Sequence, residues 1–240
     1  MIAFAGHQEL YLSRSVWARP PRKGKVDTLP SSLHSDLRTG WPTQPEDAFL
    51  DTVAEMARRD GGRLCRMLIA EIDRLSPARN RWRPAFQPVV AQLDACLARG
   101  PKETTYLRGA VAAMKPHLNW HRAPPNPAIG RFDRHHAFST IVGPTERIPS
   151  DSLMLGLMIV DRATYYPGHS HNADEVYLPL SGDAIYHVAP ARPGRPRDGC
   201  FLPIPSSTRH ALWTGNVPEL IIWAWMGDIR GGYRFAGAMP

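Results

Sequence analysis

Apolar residues recur at three- and four-residue steps through the first half of the chain, and in short runs separated by turn residues through the second. Phe49, Val53 and Met56, then Leu64, Met67, Leu68, Ile72 and Leu75, mark the buried stripes of two amphipathic helices, with Gly61 and Gly62 predicting the break between them. Two more helical stretches follow, "AFQPVVAQLDACLARG", stopped by Gly100 and Pro101, and "ETTYLRGAVAAMKPHLNW", kinked or ended at Pro116. Beyond the loop "HRAPPNPAIG" the pattern becomes β-prone: "AFSTIVG", "LMLGLMIVD", "EVYLPLSG", "AIYHVAP", "CFLPIP", "HALWTG" and "ELIIWAWMG". Strands joined by short turns predict an antiparallel sandwich or barrel. Residues 1–44, rich in Pro, Ser, Arg and Lys and without sustained periodicity, are expected to form a flexible arm. The expected organisation is therefore an arm over 1–44, a helical region over 45–128 and a β-domain over 129–240.

Composition narrows the classes. An apolar content of 43% with 21% charged residues is that of an ordinary soluble globular chain, and no apolar run approaches the roughly 20 residues that a bilayer span needs. The N-terminus has no positive segment followed by a continuous apolar core, so a secretory signal is not expected and the cytoplasm is the expected location. Cys65, Cys96 and Cys200 are too few and too widely spaced for a disulfide framework or a cysteine zinc site, and are expected to be reduced. The net charge of +7 comes from basic residues scattered over the arm, the helices and the loop "ARPGRPRDG". Such scatter argues against nucleic acid as a partner and fits a small anionic or zwitterionic substrate. An exposed sheet edge allows a homodimer.

The chemistry concentrates in "YYPGHSHNADEVYLPLSG", Tyr165 to Gly182. In an extended strand alternate side chains share a face, so His169 pairs with His171, and Glu175 with Tyr177 on the next strand, with "NAD" as the turn. Imidazoles and a carboxylate inside a sheet need a partner to offset their desolvation, and a divalent metal supplies one. His210, opening a later strand, offers a fourth ligand. Tyr165 and Tyr186 are read as structural, Asp174 as a turn residue, His187 as non-functional, and Arg192, Arg195 and Arg197 as a solvated loop.

These residues resemble the cupin motifs. The first, G-(x)5-H-x-H-(x)3,4-E-(x)6-G, is similar to His169, His171, Glu175 and Gly182, with Ala163 in place of the leading glycine. The second, G-(x)5-P-x-G-(x)2-H-(x)3-N, is similar to Gly199, Pro205 and His210, with Ser207 and Thr214 in place of the later glycine and asparagine. The resemblance covers about the last hundred residues of the sequence. It implies a cupin domain, a double-stranded β-helix or jelly-roll barrel, preceded here by a helical region, with His169, His171, Glu175 and His210 as metal ligands.

A narrower likeness is to the cupin-type dimethylsulfoniopropionate (DMSP) lyases, which carry a tyrosine two residues after the ligand glutamate, another shortly before the histidine pair, and helices ahead of the barrel. Tyr177 and Tyr166 stand at those places. The resemblance implies removal of an α-proton from DMSP, giving dimethyl sulfide and acrylate, with Tyr177 as base and Tyr166 in reserve. A free phenol titrates near 10, and a neighbouring divalent cation favours its ionised form. Trp120, Trp213, Trp223 and Trp225 are candidates to face the sulfonium, since an aromatic face attracts a cation. Such ligands suit Zn, Fe and Mn alike. The same ligands would also serve an Fe(II) cupin dioxygenase, with Tyr177 incidental, or a non-catalytic small-molecule-binding cupin.

Overall fold

A computed structural model describes residues 44–232 together with 234 and 235. The arm expected over 1–44 lies outside these residues except for its last position. Four α-helices come first: α1 (Pro45–Asp60), α2 (Arg63–Asp73), α3 (Leu93–Arg99) and α4 (Thr105–Met114). Proline at its first position and the backbone N–H of Gln44 donating to Asp47 Oδ2 start α1, and Gly61, left-handed at φ 71°, ends it. The expected break between the first two helices falls where the paired glycines placed it. In "AFQPVVAQLDACLARG" the chain stays extended up to Gln87, and the 3-10 turn that leads into α3 begins at Pro88.

The strands are β1 (His136–Gly143), β2 (Ile148–Pro149), β3 (Leu153–Val160), β4 (Tyr165–Ser170), β5 (Asp174–Ser181), β6 (Ile185–Val188), β7 (Leu202–Ile204), β8 (His210–Trp213), β9 (Glu219–Met226) and β10 (Arg234–Phe235). They form a six-stranded sheet in the order β2-β1-β3-β9-β5-β7 and a four-stranded sheet in the order β10-β4-β8-β6. All strand pairs are antiparallel except the short β1–β2 pair. The short strands β2 and β10 carry too few residues to show a period and were not expected from sequence.

The six-stranded sheet is covered on both faces, which explains why β1 and β9 are buried along their whole length rather than alternating with polar positions. Along β9, Leu220, Ile222, Ala224 and Met226 face outward and pack with Phe49, Val53, Leu68, Leu107 and Val111 of the helices. Ile221, Trp223 and Trp225 face inward, with Tyr166 and Tyr177, toward the second sheet. The helices and the outer sheet face thus share one core, and a second core fills the space between the sheets. No described helix is long and apolar enough to cross a membrane.

Candidate metal centre

The period of two along the strands assembles the site. Strands β4 and β8 are antiparallel neighbours with His169 directly opposite His210, after an irregularity between Tyr166 and His169 that re-aims the strand. His171 follows β4, and Glu175 and Tyr177 enter from β5 in the other sheet, each beside a tryptophan of β9: Glu175 opposite Trp225, Tyr177 opposite Trp223. His169, His171 and His210 are each about 1% exposed, and one ring nitrogen from each lies within 4.8 Å of the others. The His169 and His210 rings are 4.1 Å apart between centroids, and those of His171 and His210 5.1 Å.

Hydrogen bonding sets which nitrogen faces inward. Nδ1 of His169 meets Pro167 O at 2.8 Å, Nδ1 of His171 meets Ala173 O at 3.1 Å, and Nδ1 of His210 meets Thr208 O at 2.9 Å. A carbonyl only accepts, so each Nδ1 carries its proton and each Nε2 is the nitrogen left for the centre. Glu175 Oε2 stands 2.9 Å from His171 Nε2 and 3.1 Å from His210 Nε2. Its other oxygen, Oε1, accepts from the Trp225 indole N–H at 2.8 Å.

Burial pushes the Glu175 carboxyl up, but the contacts with His171 and His210 outweigh it and hold the group at about 2. Burial, followed by the neighbouring His210, drives the His169 imidazole well below its ordinary range. Two inventories satisfy this geometry: either Nε2 protons are shared with Glu175, or one cation takes their place. The donor set of three imidazoles, with a carboxylate against two of them and every Nδ1 already fixed by a carbonyl, therefore fits a transition metal.

The expected site residues separate into two groups. Tyr166 stacks on His169 at 4.3 Å, and the Tyr177 ring lies 6.0 Å from that of His210; both are buried. Trp225 lies 4.3 Å from the His171 ring, and Trp223 meets Trp225 edge-on at 6.1 Å. Two tryptophans are not brought to the centre, against expectation. Trp120 is buried in the core between helices and sheet, its segment held by bridges from Asn119 to Ala85 and from His121 to Phe138 of β1. Trp213 stands three positions after His210 on the same strand, so it points the opposite way, half-buried and stacked on Tyr165 at 5.0 Å. Asp174 accepts from the Ser206 backbone and pairs with Arg63, as a turn residue does.

Sequence reasoning missed Phe132 and His136, which stack next to Tyr166, and Glu219, which accepts hydrogen bonds from Tyr186 and from the Ala184 backbone. The only signal for the first pair was a phenylalanine four residues ahead of a histidine in an unpatterned stretch.

A two-sheet sandwich with three inward imidazoles and a glutamate on facing strands defines a cupin. The dimethylsulfoniopropionate lyase family model matches residues 59–221, and the chain belongs to that family; it is a lyase. It is 30% identical over 168 residues to DddL of Cereibacter sphaeroides, named as a candidate dimethylsulfoniopropionate lyase, a match covering 67% of this chain and 68% of that one. It is 31% identical over 90 residues to the dimethylsulfoniopropionate lyase DddQ of Ruegeria pomeroyi, covering 38% and 45%. The crystal structure of DddQ from Ruegeria pomeroyi superposes with a TM-score of 0.66 at 23% identity, covering 80% of this chain and 98% of that one, which establishes the shared fold.

Proposed function

We propose that the protein cleaves DMSP to dimethyl sulfide and acrylate by β-elimination at a divalent metal held by His169, His171, His210 and Glu175. The reading is carried by one observation: in a chain of this family, Tyr166 and Tyr177 stand inside the sandwich beside His169 and His210, two of the three imidazoles whose ring nitrogens gather within 4.8 Å of one another. Zinc, iron and manganese all suit the ligands. When bound, the ion supplies a Lewis acid for the substrate carboxylate, which makes the α-proton easier to remove.

The residues of the chain do the rest. Tyr177 takes the α-proton on its phenolate oxygen; the C–H electron pair becomes the double bond of acrylate, and the C–S pair leaves on sulfur as neutral dimethyl sulfide. Tyr166, stacked on His169, is the alternative base. The faces of Trp223 and Trp225 receive the sulfonium and exclude water from the reacting bond.

The test is headspace dimethyl sulfide from metal-loaded and chelated protein, with oxygen uptake followed in parallel. Release that depends on metal, consumes no oxygen and falls by at least about a hundredfold in Tyr177→Phe is the expected result, the drop being the usual scale for loss of a general base. Full turnover in Tyr177→Phe at unchanged metal content transfers the role to Tyr166. Oxygen uptake without sulfide release removes the lyase reading.

A further inference from the structure

Four aromatic rings form a continuous stack that ties the two sheets together. His136 lies on Phe132 with centroids 4.0 Å apart and planes 4° apart, and Phe132 lies on Tyr166 at 3.9 Å and 5°. Tyr166 lies on His169 at 4.3 Å and 23°. His136 opens β1 of the six-stranded sheet, Phe132 sits in the 3-10 segment Pro127–Arg134, and Tyr166 and His169 belong to β4 of the four-stranded sheet. All four residues are buried.

The outer end of the stack is anchored. His136 Nδ1 is bonded to Phe132 O, and its Nε2 accepts from the Ala123 backbone N–H at 3.3 Å. His121 and Phe138 exchange both backbone hydrogen bonds at 2.8 Å, which closes the loop between them that carries Phe132. Burial lowers the His136 imidazole to about 4, so the ring is neutral and its Nε2 free to accept. A ring held at van der Waals distance on both faces cannot tilt without moving its neighbours. Tyr166 is in that position, between Phe132 and His169.

We infer that Phe132 is a positioning residue for the histidine centre: acting through Tyr166, it holds the His169 imidazole in the plane that turns Nε2 toward His171 and His210. The inference rests on the metal-centre reading above. It assigns the 3-10 segment a purpose beyond closing the core, because an apolar plug of any shape would exclude water, whereas only a flat ring transmits an orientation. Phe132 touches neither substrate nor metal in this scheme.

The test is a Co2+ titration of metal-free protein, read by visible absorption and by affinity, on the full chain. Phe132→Met keeps nearly the same volume without a flat ring, and Phe132→Leu is the second variant should the first not fold. Loss of the ring is expected to weaken Co2+ binding by about tenfold or more and to change the absorption bands, the scale seen when a ligand's outer partner is removed. The double variant Phe132→Met with Tyr166→Leu is expected to bind no more weakly than Tyr166→Leu alone, because both lie on one path. A plug without a positioning role would lower thermal stability and leave affinity and spectrum native, and that result overturns the inference; so does a double variant whose losses multiply. Wild-type protein that binds no Co2+ at all removes the metal-centre reading itself, and the inference with it.

Discussion

Trp225 shows how one side chain can serve a site by its edge as well as by its face. Its indole N–H goes to Glu175 Oε1, which leaves Oε2 to face His171 and His210. Trp225→Phe keeps a smaller ring beside His171 and deletes the donor. A buried carboxylate oxygen short of its partner costs about 1–3 kcal/mol, and the orientation of Glu175 is lost with it. Metal affinity is therefore expected to fall by about tenfold to a hundredfold, measured by competition with a chromophoric chelator. Native metal affinity in the variant would show that the indole N–H does not orient Glu175. The sequence could mark this tryptophan as inward, by its parity with Trp223, but not the direction of its N–H, which depends on a strand 50 residues away. Parity did hold the answer for Trp213, whose odd spacing from His210 turns it to the outer face.

Strands β5 and β9 carry chemistry at both ends. Trp225 stands six positions after Glu219, roughly 20 Å at a strand's rise. There Glu219 lies under the turn after β5, where Gly182, at φ 127°, leaves no room for a side chain against the Glu219 carboxylate. Burial raises the Glu219 carboxyl from 4.5 to about 7, against the opposing hydrogen bonds from Ala184 and Tyr186. An acid whose folded value is raised gives no penalty below the unfolded value of 4.5, a growing one between 4.5 and about 7, and a constant one above. The penalty is on the order of 3 kcal/mol. Urea unfolding of the native chain and of Glu219→Gln between pH 4.5 and 8 checks this. The variant is expected to gain on the native protein as pH rises to about 7 and then run parallel to it. A constant difference across the range would show that the carboxyl is not the source.

This element was only half legible in sequence. Apolar runs bounded by turn residues placed β5 and β9, since a strand covered on both faces reads as a continuous apolar run. The glutamate at the start of "ELIIWAWMG" reads there as a polar strand end, because its burial comes from Tyr186 and the turn at Gly182, neither of them near it in the chain. Phe132 was hidden for a different reason: a 3-10 segment with Gly130 at positive φ inside it shows no period to read.

At the scale of the molecule, the helices pack on one sheet and the histidine centre sits between that sheet and the next, so the centre is held by both layers at once. The spacing of His169, His171, Glu175 and His210 in and beside β4, β5 and β8 made the cluster legible in the sequence, whereas the helical cover contributes no described side chain to it. A cation bound by both sheets would couple them and stabilise the folded state by mass action. The most direct test of the whole reading is the metal stoichiometry of purified protein, by elemental analysis, for the native chain and for His169→Ala with His210→Ala. One transition-metal ion per native chain and none in the double variant is the expected result. A native chain that neither carries nor takes up such an ion, or a double variant that keeps it, would contradict it.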